Sequence, residues 1–357
     1  MPVFEVRDLH LHYQMRYGEK IHAVAGVSFA LEEGEVFGIA GESGCGKSTL
    51  VNGCMGLFIP PLRPTSGDVL VNGESIMNLP PETVRRTVLG RKVAMIPQGA
   101  FNSLNPTRKI KDLAADMIKC HEEKASTTRT EIYGRLRERF TLIGMDAERV
   151  LNSFPIQLTA GMRQRCVIGI STLLNPALVI ADEPTSALDV STQKSVIKML
   201  FDLLDEGIFS TMIFITHELP LLRHVSSRIS VMYAGEFVEV GATEQVVFDP
   251  RQPYTKALMG SMLFAEPGQK ERKPIAIEGA PPKLDKPIAG CRFAPRCTEA
   301  RKDCAALKQE IREVAGRQVK FTHSRARNSR AISATAKSWS EPSIVWISLS
   351  GRRRLCL

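Results

Sequence analysis

The chain has 357 residues, of which 43% are hydrophobic, 24% charged and 6% aromatic. That length predicts two domains with a sizeable core, and the composition excludes a mainly disordered, collagen-like or membrane-spanning protein. The formal charge is +9, but after residue 324 Arg325, Arg327, Arg330, Lys337, Arg352, Arg353 and Arg354 face only Glu341, so the tail supplies +6 and the body only +3. A body so weakly basic argues against a nucleic-acid partner. The longest apolar stretch, Cys166 to Ala181, is broken by Asn175-Pro176 and falls short of the ~18 residues a transmembrane helix needs. Glu5, Arg7 and Asp8 stand where a secretory signal would need an apolar run, so a cytoplasmic protein is expected.

In chain order, Val36-Phe37-Gly38-Ile39-Ala40 reads as a buried strand, followed by a Gly-rich loop and a helix starting near Lys47. Further buried strands are predicted at Val93–Ile96, Leu178–Ala181 and Met212–Ile215, and their alternation with helical segments argues for an α/β fold with a mainly parallel sheet. Between Asn105 and Pro155, Ile132, Leu136, Phe140 and Ile143 recur at helical spacing, with Arg129, Arg135, Glu138 and Arg139 among the polar positions. This predicts an inserted helical subdomain over about 105–170, within a first domain of residues 1–249. From 250 to 323, prolines at 250, 253, 274, 281, 282, 287 and 295 interrupt regular structure and predict a small loop-rich extension. The basic stretch 324–357 is expected to be a disordered tail.

Gly41-Glu42-Ser43-Gly44-Cys45-Gly46-Lys47-Ser48, followed by Thr49, fits G-x-x-x-x-G-K-[ST] between a predicted strand and helix. Glycines let backbone N–H groups approach phosphate oxygens, Lys47 brings a cation to the terminal phosphates, and the Ser48 hydroxyl suits Mg²⁺. A Gly-rich turn with a chance lysine would not need that context. Asp182-Glu183 ends a buried strand, where Asp182 suits Mg²⁺ through a water and Glu183 the activation of an attacking water. Alone, these two acids would also read as a solvated strand end.

The motifs that follow narrow the class. Leu158-Thr159-Ala160-Gly161-Met162-Arg163-Gln164-Arg165 resembles the signature of ATP-binding cassette (ABC) proteins. Gln98 resembles their Q-loop, Ser186-Ala187-Leu188-Asp189 their D-loop and Thr216-His217-Glu218 their switch histidine. The resemblance covers roughly residues 1–250. It implies a P-loop ATPase core whose sites form in a head-to-tail dimer, each ATP lying between the P-loop of one subunit and Thr159 and Gly161 of the other. It also implies Gln98 as a sensor of metal and water, His217 as a γ-phosphate partner, and Tyr13, with Tyr17 close by, as the platform for adenine. Two departures stand out: Thr159-Ala160 replaces Ser-Gly in the signature, which is expected to weaken hydrolysis, and Gly99-Ala100 follows Gln98 where peptide importers carry Asp-Pro.

Within the family, Asn102-Ser103-Leu104-Asn105-Pro106, Gln252-Pro253-Tyr254-Thr255 and Gly290 to Cys297 resemble the oligopeptide/dipeptide/nickel importer ATPases. That implies two integral-membrane permease subunits, a second ATPase subunit (a copy or a paralogue), an extracytoplasmic solute-binding protein, and a location on the cytoplasmic face of the inner membrane. A soluble ABC ATPase of DNA repair or translation is the alternative, though such proteins carry a coiled-coil insert or a second cassette that this sequence lacks.

Eight cysteines in such a chain are not expected to form a disulfide framework, and Cys45, Cys54, Cys120 and Cys166 read as packing residues. Cys291, Cys297 and Cys304 are spaced C-x₅-C-x₆-C, and in this branch three such cysteines and a later one bind a [4Fe–4S] cluster. Here Thr322 stands near the fourth position and Cys356 is the only later cysteine, which leaves buried thiols or a zinc site using His323 as alternatives. The tail shows no family resemblance, so deleting residues 324–357 is expected to change the ATPase rate by less than about twofold, as steady-state phosphate release would show.

Overall fold

The computed structural model describes residues 1–99, 102–121, 128–186, 188–261, 275–286, 288–307 and 309–321. The elements in chain order begin with β1 (Phe4–Gln14), β2 (Lys20–Leu31), β3 (Val36–Ala40), α1 (Lys47–Cys54), β4 (Leu62–Val71), β5 (Glu74–Ser75), α2 (Pro81–Thr83) and β6 (Val93–Ile96). Then come α3 (Ile110–His121), α4 (Arg129–Leu142), α5 (Ala147–Asn152), α6 (Ala160–Ser171), β7 (Leu178–Asp182), α7 (Val190–Asp205), β8 (Thr211–Ile215) and α8 (Leu219–Val225). The chain closes with β9 (Arg228–Tyr233), β10 (Glu236–Ala242), α9 (Thr243–Phe248), α10 (Pro253–Gly260), β11 (Glu310–Val314) and β12 (Arg317–Phe321).

Strands β9-β3-β8-β7-β6 form the parallel centre of a sheet, in that order. These are the predicted strands, with β9 added. Their residues are buried on both faces, and the side chains alternate between two cores. Ala40, Val179, Ala181, Met212 and Phe214 pack with the helical layer. Ile39, Leu178, Ile180, Ile213 and Ile215 pack with α1 and a second, antiparallel sheet of order β2-β1-β4-β5. That second sheet was not foreseen. Register shifts along β1, with Asp8 at φ 43°, break the alternation by which half-buried strands are recognised.

The predicted helical insert forms α3 to α6, with Ile132, Leu136, Phe140 and Ile143 buried. Thr128 starts α4 with a capping box to Glu131. Arg139, expected on the polar face, is instead buried. Its guanidinium donates to the Thr172 carbonyl and to Asn175 Oδ1, placing a cation against the C-terminal end of α6. Loss of solvation pushes its pKa down to about 10.

The extension is irregular over most of 275–307 and ends in the β11–β12 hairpin, which joins the main sheet through β10. A buried ion pair fixes that junction. Arg317 lies 3.4 Å from Glu239 and also donates to the carbonyls of Gln245 and Asp249. Glu239 in turn accepts from the backbone N–H groups of Arg251 and Gln252, which sets the start of α10. Arg317→Ala would strand a buried carboxylate and is expected to destabilise the fold by about 3–5 kcal/mol in urea unfolding, whereas a paired apolar replacement of Glu239 and Arg317 loses less.

Candidate functional site

The segment from Gly41 to Gly46 joins β3 to α1, and its conformation depends on glycine. Gly41 and Gly46 have φ of 154° and 109°, and an added Cβ would lie 2.3 Å from the Met232 carbonyl oxygen or 2.4 Å from that of Ala23. The Gly235 N–H donates to the Cys45 carbonyl at 2.7 Å, bracing the loop against the β9–β10 turn. Lys47 folds back across the loop, its Nζ donating to the carbonyls of Gly41 (2.7 Å) and Glu42 (3.0 Å). Ser48 is exposed, whereas Thr49 is buried and bonded through Oγ1 to the Tyr13 hydroxyl at 2.9 Å. Tyr13 therefore borders the loop.

Three neighbouring strands deliver the other predicted groups from their C-terminal ends, where ligands bind in parallel sheets. Glu183 follows β7 with φ 46°, a strained value for a non-glycine residue. One carboxylate oxygen accepts from Gln98 Nε2 (2.7 Å), beyond β6, and the other lies 2.8 Å from His217 Nδ1, beyond β8. Since an ionised carboxylate only accepts, the proton sits on His217 Nδ1. Asp182, one residue earlier, is buried. Burial first, then the charge of Glu183, pushes its carboxyl above the ordinary 3.8, while Lys47 pulls the other way.

The structure brings these residues together, with Gly41, Glu42, Ser43 and His217 lining one open cleft. It places Thr159, Gly161 and Asp189 in a different cluster. Thr159 caps α6, accepting from the Met162 N–H at 3.3 Å, and Gly161 meets Thr192 of α7, which Asp189 caps. Strong hydrogen bonds from Ser191 and Thr192 hold the Asp189 carboxyl well below the usual carboxylate range. Gln164, buried in α6, ties this cluster to the Pro184 carbonyl beside the acid pair. Its role was invisible in the sequence because nothing in the motif says which face of α6 meets the strand end.

Two further residues reach the loop from the extension. The Glu42 N–H donates to the Tyr254 hydroxyl (3.0 Å), and the Glu42 carboxylate receives both terminal nitrogens of Arg296 at 2.7 and 2.9 Å. Tyr254 and Arg296 stood in the sequence only as markers of the branch.

The cysteine expectations need correction. Cys45, Cys54 and Cys166 are buried as predicted, but Cys120 is exposed on α3. Cys291, Cys297 and Cys304 line one small cavity beside Phe293. Burial, reinforced by the other two cysteines, pushes the Cys291 thiol up. Among the described residues no three His, Cys, Asp or Glu side chains are placed to hold a metal ion. Ala100, Ala187, Thr322, His323, Cys356 and the tail 324–357 lie outside the described residues.

A strand, a glycine-dependent loop and a helix beneath a mostly parallel sheet define a P-loop cassette for nucleoside triphosphates. Residues 24–186 match the family described as ABC transporter, and residues 238–304 match the oligopeptide/dipeptide transporter C-terminal region. The dipeptide transport ATP-binding protein DppD of Caldanaerobacter subterraneus subsp. tengcongensis is 36% identical over 306 residues, 86% of this chain and 92% of that protein. The oligopeptide transport ATP-binding protein OppD of Bacillus subtilis is 38% identical over 302 residues, 84% and 82% respectively. Among solved structures, a dimeric post-hydrolysis state of the cassette MJ0796 bound to ADP and Pi aligns with a TM-score of 0.58 at 27% identity, over 67% of this chain and 98% of that one. Cassette cbiO1 from Clostridium perfringens, part of the cbiONQ transporter complex, shares the fold with a TM-score of 0.59 at 23% identity, over 70% and 91%. The chain belongs to the ABC transporter family, on the branch that carries the oligopeptide/dipeptide C-terminal region.

The raised pKa of Asp182 gives a signed expectation. An acid whose folded-state pKa is raised lowers stability above that pKa, and the cost vanishes as pH falls below its unfolded value, 3.8. Without nucleotide, Asp182→Asn should therefore be more stable than the parent at pH 7, with the difference closing below about pH 4, as chemical denaturation across that range would show.

Proposed function

We propose that this chain is the ATP-binding and hydrolysing subunit of an importer of dipeptides or oligopeptides. The observation that carries this reading is Glu183, held between Gln98 and His217 at the strand ends beside the Lys47 loop. In it, the N–H groups of 41–46, Lys47 and the start of α1 bind the phosphates, with Thr49 and Tyr13 next to them and Tyr13 facing adenine. Ser48, Asp182 and Gln98 would hold Mg²⁺, a hard cation suited to oxygen ligands. The buried, charge-crowded Asp182 suits such an ion. Bound Mg²⁺ supplies neutralisation of the phosphate charge. Glu183 takes a proton from the attacking water, while Gln98 and His217 fix its orientation.

Thr159, Gly161 and Asp189 cluster around α7 and would complete the site of a second ATPase subunit, a copy or a paralogue, in a head-to-tail dimer. The dimeric state of MJ0796 with ADP and Pi supports that arrangement. Two membrane permeases, served by a solute-binding protein, would receive the motion at the cytoplasmic face of the inner membrane. No described helix is long and apolar enough to cross a membrane, which fits a peripheral subunit. The dipeptide and oligopeptide transport names of these relatives support the cargo class rather than DNA repair or translation.

The test uses two variants in the assembled transporter. Glu183→Gln keeps the shape but cannot accept a proton, so turnover should fall at least about 100-fold while ATP binding stays within about threefold of the parent. Lys47→Ala should weaken ATP binding instead. Near-normal phosphate release by Glu183→Gln removes Glu183 as the base, and unchanged nucleotide affinity in Lys47→Ala removes the loop as the phosphate site.

A further inference from the structure

Glu42 is the one acid in Gly41–Ser48, and a loop that cradles phosphates gains nothing from a carboxylate that is free to face them. The structure binds that carboxylate to Arg296, which is remote in sequence and whose side chain is 5% exposed. The guanidinium is held at every donor. Nε reaches the Glu278 carbonyl at 2.9 Å. One terminal nitrogen serves Glu42 Oε2 and the Tyr233 hydroxyl, the other Glu42 Oε1 and the Ile277 carbonyl. Such a fork-to-fork pair is strong and directional, and lysine could not reproduce it.

The surroundings leave Arg296 little freedom. The Tyr233, Tyr254 and Phe293 rings pack together with centroids 4.4 to 5.3 Å apart, and the Tyr254 hydroxyl accepts the Glu42 N–H. Main chain and side chain of Glu42 are thus both fastened to the extension. Leu258 and Ile277 of the extension line the cleft that Gly41, Ser43 and His217 also line.

We propose that Arg296 is a positioning residue of the nucleotide site, neutralising Glu42 and fixing its carboxylate so that the phosphate loop presents only donors and the Lys47 cation. The inference rests on reading Gly41–Ser48 as the phosphate cradle. It makes the extension a working part of the ATPase, since the cassette segment alone lacks the partner of its own loop acid.

A double-mutant cycle on the full chain tests it, read as the Kd of mant-ATP with Mg²⁺. Arg296→Ala should weaken binding at least about tenfold, because a partly buried carboxylate is left without its cation beside the phosphates. In the Glu42→Gln background, removing Arg296 should change Kd by less than about threefold, since the charge it neutralises is gone. A purely structural tie would give the same loss in both backgrounds, and that result, or unchanged binding by Arg296→Ala, overturns the proposal. Arg296→Gln carries the same cycle if the alanine variant does not fold. Lys47→Ala runs alongside: if it binds mant-ATP as the parent does, the phosphate-loop reading fails, and the inference with it. If Lys47→Ala loses binding while the cycle shows no coupling, only the inference fails.

Discussion

Two carbonyl oxygens, those of Ala23 and Met232, stand so close to the loop after β3 that only hydrogen fits on Gly46 and Gly41. That contact fixes much of what surrounds it. It holds β2 and the end of β9 against the loop and, with the Gly235 N–H on the Cys45 carbonyl, shapes the cradle by packing of the chain itself. A cradle already formed need not be ordered when an anion arrives, so more of the binding free energy is left for motion elsewhere. Any larger side chain at Gly41 or Gly46 would have to push backbone rather than a flexible side chain.

The central sheet then decides which groups meet. Parallel pairing of β6, β7 and β8 in register carries Gln98, Glu183 and His217 out at the same end, side by side. Each alone is an ordinary polar residue beyond a strand. Together they leave the Glu183 carboxylate with a donor on either oxygen and a backbone in the left-handed region, a strained geometry that packing on both sides over-determines. Gln164 adds a third attachment, joining α6 of the helical layer to the Pro184 carbonyl.

The runs Val93–Ile96, Leu178–Ala181 and Met212–Ile215 were legible as strands because every residue in them is apolar, whereas Arg228 and Ser230 interrupt β9, and the glycine-lysine loop was legible because its spacing is chemically specific. The helical insert was legible from Ile132, Leu136 and Phe140. The antiparallel sheet was not, since bulges in β1 scramble its pattern. Arg139 was misplaced because side-chain polarity cannot show that a helix end lies in reach of a buried guanidinium. The pairing of Glu42 with Arg296 spans 254 positions and has no local signature, so it emerged only from the folded chain. The cysteine spacing left a metal site and buried thiols both open, and the structure shows Cys291, Cys297 and Cys304 lining one small cavity.

The β11–β12 hairpin also bears on how the protein behaves in a crowded cell. An open sheet offers unpaired N–H and C=O groups at its two outer strands, which can recruit foreign chains into aggregates. At one end the hairpin covers β10 and presents β11, whose Glu310, Arg312 and Glu313 put charge along the rim. At the other end β6 is only four residues long, too short to seed much pairing. The molecule thereby blunts both margins of its largest sheet against sticking to its neighbours.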